Sequence, residues 1–240
     1  SPWFAPFPTW PALRRTLDGP RLGDVATVRT TCSFHRKGLR ERFVTADKPA
    51  SANAHPYIGG PSFTRTSEVG PFALNWAGWW IDFDDEALRE LRNPLPSLAG
   101  TFLRPKLVLR QHARRLEAYV DRAGEYVTKD VYPVAWPEQG SLDALAAVLH
   151  STVFTALYNT VYQGIVVGGE TYHYLATFLR QIPVPDPTHP ALVEAAEHAA
   201  RGVEGWNAAD RAVAVAYGIR EEERQQMIEV HLRRVGAPTP

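Results

Sequence analysis

The stretch that decides the fold is Arg104-Pro-Lys-Leu-Val-Leu-Arg110-Gln-His-Ala-Arg114-Arg-Leu-Glu-Ala118-Tyr-Val-Asp121-Arg-Ala-Gly124, continued by Glu125-Tyr-Val-Thr-Lys-Asp-Val-Tyr-Pro-Val-Ala135. β-Branched and aromatic residues alternate with polar ones throughout, and Gly124 punctuates a turn. This pattern predicts a three-stranded meander over about residues 106–112, 115–121 and 125–134.

Downstream the period changes. Ser141-Leu-Asp143 caps a helix whose apolar positions Leu145, Val148, Leu149, Val153, Phe154 and Leu157 recur at spacings of three and four. A glycine loop, Gly164 to Gly169, follows it. A short helix near residues 174–180 stops at Ile182-Pro-Val-Pro-Asp-Pro187, which cannot stay helical. Helices are expected at about 189–201, 207–217 and 220–233, with Gly218 as a C-cap between the last two.

Upstream, Leu22-Gly-Asp-Val-Ala-Thr-Val-Arg-Thr30 reads as a strand, and Phe43-Val-Thr45 resumes extended structure after a basic loop. Short strands flank the turn in Pro56 to Arg65. Leu74 to Phe83 is an aromatic strand region leading through Asp84-Asp-Glu86 into a short helix near residues 87–92. Its tryptophans Trp76, Trp79 and Trp80 could stack on bases, but such a row is more often core. Residues 1–20 hold five prolines with Trp3 and Trp10, and form an extended arm laid on another surface. The fold class is therefore α+β, with largely antiparallel sheets, flanking helices and a helical C-terminal segment. The expected organisation is an arm at 1–20, a recognition domain at 21–187 and a helical segment at 188–240.

Composition limits the function. The 240 residues carry 26 basic and 26 acidic side chains, so a globally basic DNA-coating protein is excluded. The charge is nevertheless uneven. Residues 29–48 and 104–122 each hold six cations against two acids, whereas 186–240 hold six arginines against nine acids. Arg outnumbers Lys 22 to four, as the codons of a GC-rich genome would also produce; a guanidinium binds phosphate or guanine through two donors. One cysteine excludes a disulfide scaffold and a cysteine-based zinc cluster, and fits a reducing cytosol. No run reaches the 18 or so apolar residues of a membrane span. The chain opens Ser-Pro-Trp without Met, which suggests a piece of a longer protein.

A catalytic motif is missing. There is no GxSxG, HExxH, CxxC or P-loop, and no GxGxxG opening a helix. Gly164-x-x-x-Gly168-Gly169 is a turn. Asp82, Asp84 and Asp85 read as acids opening a helix rather than metal ligands, and no catalytic or metal site is assigned. His112, His150 and His173 read as surface or hydrogen-bonded histidines. Asn93-Pro-Leu-Pro96 lacks the second consecutive proline and the aromatic of the motif that holds a flipped adenine.

Four segments in order resemble the C-terminal target recognition region of N6-adenine DNA methyltransferases and fused type II restriction-methylases, the TaqI-like and Eco57I-like group. Leu22-Gly-Asp-Val-Ala resembles the opening "Leu-Gly-Glu-Val-Ala" segment. Pro105-Lys-Leu with Ala118-Tyr-Val-Asp121 resembles "Pro-Lys-Ile … Ala-x-x-Asp". Leu145 to Ser151, with Tyr158, resembles the helix "Leu-Leu-x-Leu-Leu-Asn-Ser", His150 replacing the usual Asn, and leads to Leu179-Arg-Gln-Ile-Pro-Val-Pro185, similar to "Leu-x-x-Ile-Pro-Ile-Pro". Asp210 to Glu223 resembles the coda "Asp-x-x-Val-x-x-Leu-Tyr-Gly-Leu-Thr-Glu-Glu-Glu". The resemblance implies double-stranded DNA as partner, together with a methyltransferase domain, in the same or a partner chain, that binds S-adenosylmethionine. It also implies a prokaryotic cytoplasmic, nucleoid-associated location and a context of restriction-modification or phage defence.

Given that resemblance, Arg36, Lys37, Arg40 and Arg42 are the phosphate candidates, because clustered cations in a loop can follow a backbone. Ser62, Thr64 and Arg65, after a Gly-Gly-Pro turn, are candidates for base or groove contact. So are Arg110, Gln111, Arg114 and Arg115, since Gln suits adenine and Arg suits guanine. In Gly168 to Tyr174, small residues permit close approach, and Tyr172 and His173 could wedge or stack. The rival reading is a protein-interaction module whose aromatic arm and acidic tail dock a large partner without nucleic acid.

Overall fold

The computed structural model describes residues 8–30, 39–59, 68–82, 101–129, 131–162, 166–167, 171–233 and 236–240. In chain order the described strands are β1 (Ala26–Arg29), β2 (Val44–Thr45), β3 (Ala54–Ile58), β4 (Val69–Gly70), β5 (Ala73–Leu74), β6 (Trp80–Asp82), β7 (Lys106–Leu109), β8 (His112–Ala113), β9 (Ala118–Asp121), β10 (Val127–Thr128), β11 (Val134–Pro137), β12 (Val166–Val167) and β13 (Thr171–His173). The α+β class is as expected.

The central sheet has the order β1-β11-β7-β9 and is antiparallel throughout. All four residues of β7 are buried, because this strand is covered on both faces. Leu107 and Leu109 face the larger core, packed by the helices Leu142–His150 and Thr152–Val161 and by the C-terminal helices. Val108 faces a second core with Ile58, Tyr132, Val134 and Trp136. A second sheet, β10-β3-β6-β2, supplies Ile58 to that core; a three-stranded sheet, β12-β13-β8, and a β4–β5 pair complete the described strands.

Several expectations are corrected. The segment at Leu22 opens with a helical turn, Leu22–Val25, because the Asp24 carboxylate accepts from the Arg21 N–H; only Ala26–Arg29 is extended. The meander is not sequential. After Asp121 the carboxylate accepts from the backbone N–H groups of Gly124, Glu125 and Tyr126, which turns the chain away from the sheet. Val127–Thr128 then pairs in parallel with β3, and the third central strand is Val134–Pro137, on the other side of β7. The long helix breaks at Ser151, whose extended backbone ends one helix while its hydroxyl accepts from Phe154 N–H to cap the next. In the arm, Trp10–Arg14 is one short helix with Pro11 in its first turn, and Ala12 and Leu13 enter the larger core.

The other helices, Ala176–Leu179, Ala191–Ala199, Trp206–Ala216 and Glu221–Met227, fall close to their expected places, the last running on as a π turn over Ile228–Leu232. Gly218 adopts a φ of 68° at the expected cap. No single described helix is long and apolar enough to cross a membrane.

Candidate nucleic-acid interface

Register places several chain exits at one end of the central sheet. Arg29 pairs with Val134, Val134 with Val108, and Leu109 with Ala118. At that end β1 runs out towards residues 31–38, β7 runs out into Arg110-Gln111, and the chain enters β11 from residues 131–133. Hydrogen bonds extend the ladder outward: Leu109 N–H donates to Pro133 O, and Gln111 N–H to Val131 O. The strand β3 arrives there too, since Lys129 N–H donates to Ile58 O and the Lys129 side chain lies against Gly59. The segment carrying Ser62, Thr64 and Arg65 therefore departs beside the segment carrying Arg110 and Gln111, although those three residues lie outside the described set.

That departure is fastened at its base. The Glu68 carboxylate accepts from Gly59 N–H at 2.6 Å and from Ala77 N–H at 2.9 Å, while Glu68 N–H donates to the Tyr132 hydroxyl. Burial raises the pKa of Glu68, and the two N–H donors partly offset this. Trp76 Nε1–H donates to Tyr57 O and pins the next strand.

The three-stranded sheet joins two further candidate segments. Tyr172 pairs with Ala113 and His173 with His112, and Tyr174 N–H donates to Gln111 O. The rings of His112 and His173 stack with centroids 4.3 Å apart. Burial lowers the pKa of both, and for His112 the neighbouring His173 and Arg110 lower it further. Both are thus neutral hydrogen-bonding groups at neutral pH. Tyr172 and His173 are half-buried, whereas Tyr174 is core. Arg110 is paired with Glu117 at 2.6 Å, Gln111 is nearly buried, and Arg114 donates to Gly236 O.

Arg115 is a correction. It is fully buried, donates to the carbonyls of His150 and Pro238, and lies 4.1 Å over the Trp206 ring. Burial lowers its pKa to about 10, so the charge persists at neutral pH, but it serves the core and not a base edge. The double-Arg pattern concealed this, because burial of a cation has no signature in one sequence.

Of the phosphate candidates, Arg40 and Arg42 stand on the helix Leu39–Phe43, with Arg42 exposed and 5.4 Å over the Phe43 ring; Arg36 and Lys37 lie outside the described residues. That helix feeds β2, which pairs with β6. There Trp76 and Trp80 are half-buried and meet edge to face at 5.3 Å, with Lys48 4.8 Å from the Trp80 ring. Asp82 ends β6; Asp84 and Asp85 are not among the described residues. No group of three or more potential metal ligands occurs among the described residues.

The segments that carry the resemblance meet inside the protein. Leu22 N–H donates to Ile182 O and Gly23 N–H to Arg180 O, so the opening turn docks on the Ile-Pro-Val-Pro ending. Asp210 accepts from both the N–H and the hydroxyl of Thr152. The model of the TaqI-like C-terminal specificity domain matches residues 63–184, just over half of the chain. The chain belongs to this family. As a TaqI-like specificity domain it is the DNA-recognition part of a methyltransferase-type enzyme. No curated protein matches the specificity domain. Its matched region takes in the central strands β7, β9 and β11, the capped helix pair and the sheet holding Tyr172 and His173. The signature residues Lys106, Asp121, His150 and Asp210 are all buried. The family pattern therefore marks the scaffold.

Proposed function

We propose that the specificity domain selects the target sequence in double-stranded DNA for an N6-adenine methyltransferase, alone or fused to a nuclease in a restriction-modification or other phage-defence system of a prokaryotic cytoplasm. The observation that carries this reading is the convergence of three candidate segments, after Arg29, after Ile58 and after Leu109, at one end of the central sheet. Phosphate contacts there would fix register and base-edge contacts would specify sequence.

Catalysis belongs in this reading to a separate methyltransferase domain. S-adenosylmethionine supplies the methyl group there; no GxGxxG or Asn-Pro-Pro-aromatic motif occurs in the sequence, and no residue of this chain is assigned to the cofactor. The recognition domain helps to offset the few kcal/mol that extruding an adenine costs.

The test joins the chain to its methyltransferase and maps N6-methyladenine in a duplex library; exchanging residues 60–67 should change the methylated sequence. For the chain alone, about five phosphate contacts predict that log K falls by roughly 4–5 per log unit of salt. Changing Arg36, Lys37, Arg40 and Arg42 to Ala should lower duplex affinity in a folded protein. Unchanged affinity would instead favour docking of a protein without nucleic acid.

A further inference from the structure

A second cationic feature lies on the face of the central sheet that carries the smaller core. Trp136 on β11 is only 6% exposed, and two arginines lie over it. The guanidinium carbon of Arg104 is 4.3 Å from the ring centroid and that of Arg29 is 5.9 Å away. Both arginines are exposed, and neither makes an ion pair among the described residues. Glu138, two residues beyond Trp136, accepts from the Thr27 hydroxyl instead. Lys106, on the adjacent strand, is neutralised by Asp121.

Two like charges sharing one indole repel each other, and the repulsion falls when an anion binds to both. A guanidinium held over an aromatic ring keeps its in-plane N–H donors free, which is the geometry that binds a phosphate oxygen pair. Both groups are also held from behind. Arg29 is locked in β1 opposite Val134. The Arg104 backbone lies directly against Gly124, which adopts a φ of 69° and leaves no space for a Cβ. Arg29 is moreover the last residue of β1, at the recognition end, whereas Arg104 precedes β7 at the other end, so the pair lies along the sheet face that leads to that end.

We propose that Arg29 and Arg104, stacked on Trp136, form a phosphodiester clamp that grips the DNA backbone beside the recognition segments. This rests on the reading of the chain as a duplex-binding domain. The clamp carries no sequence information; it adds affinity and fixes register.

The test is the Arg29→Gln/Arg104→Gln chain, titrated with duplex DNA by fluorescence anisotropy between about 50 and 200 mM salt. The clamp predicts a plot of log K against log salt shallower by about two contacts' worth, roughly 0.9 each, with the ratio of preferred to unrelated sequences unchanged. Equal slopes for wild type and variant overturn the clamp and leave duplex recognition standing. A wild-type chain that binds no duplex at all overturns both. Should the variant melt early, the wild-type protein still decides. Its Arg29 and Arg104 Nε–Hε resonances, assigned by the single Gln variants, must shift on adding duplex, and constancy at saturation overturns the clamp.

Discussion

The backbone N–H of Ala118 donates to Nε2 of His150 at 3.0 Å, tying an edge strand of the central sheet to the helix beneath it. Because Nε2 accepts, the proton sits on Nδ1, which donates to Ala146 O at 2.9 Å. The ring is fully buried and stacks on Phe72 at 3.9 Å. An Asn in this place, as the family pattern has it, can likewise offer one acceptor and one donor, which explains how His substitutes for it.

Burial, reinforced by Arg115, lowers the His150 pKa to about 3. The folded state therefore holds His150 neutral while the unfolded chain takes up its proton near the ordinary histidine value of 6.5. The stability this neutrality contributes is fully present above pH 6.5 and is lost as the pH falls towards 3, by up to about 1.4 kcal/mol per pH unit. His150→Asn should remove close to one proton's worth of slope in urea midpoints measured between those limits. An unaltered acid limb would show that other groups govern it.

Lys106 and Asp121 face each other in register across β7 and β9 and form a buried ion pair, with Lys106 also donating to Phe102 O. Asp121→Ala strands a buried ammonium and frees three turn N–H groups, so it should cost about 3–5 kcal/mol. Denaturant unfolding measures this; a loss under about 1 kcal/mol would mean that water reaches the site.

Arg115 should behave unlike Arg110, although both belong to one basic run. Arg115→Ala leaves the His150 carbonyl without its guanidinium donor and opens a void beside Trp206, and should destabilise by about 3 kcal/mol or more. Arg110→Ala takes a partly exposed guanidinium from the buried Glu117 carboxylate and should cost about 1–3 kcal/mol, while weakening duplex binding. The two melting temperatures, with one affinity measurement each, separate core from interface.

Gly124→Ala forces a Cβ to within 2.3 Å of the Arg104 carbonyl carbon at a φ of 69°. Backbone blocks the new atom, so the penalty should exceed the roughly 1 kcal/mol expected for φ alone. A variant as stable as wild type would show that the Asp121 turn can re-form.

The elements with strong periodicity were legible in the sequence. The helix beginning at Leu142, the strands at Lys106 and Ala118, and the Gly218 cap all follow from spacing and turn chemistry. The order of strands was not, because moving Val134–Pro137 to the far side of β7 depends on three N–H groups finding one carboxylate. The break at Ser151 was signalled by a Ser-Thr pair inside an apolar run, but tertiary bonds from Asp210 make it decisive. Within the basic clusters, spacing could not sort inward from outward cations. Arg115 and Arg104 belong to one basic run, and only packing distinguishes the guanidinium sealed in the core from the one left in solvent.

The carboxylate of Glu68 holds both ends of one excursion of the chain together, by its own backbone position and by its bond to Gly59. Gly59 and Ala77 thus answer to one carboxylate, so the strand that ends before residue 60 and the one that follows residue 68 take their spacing from a single anchor.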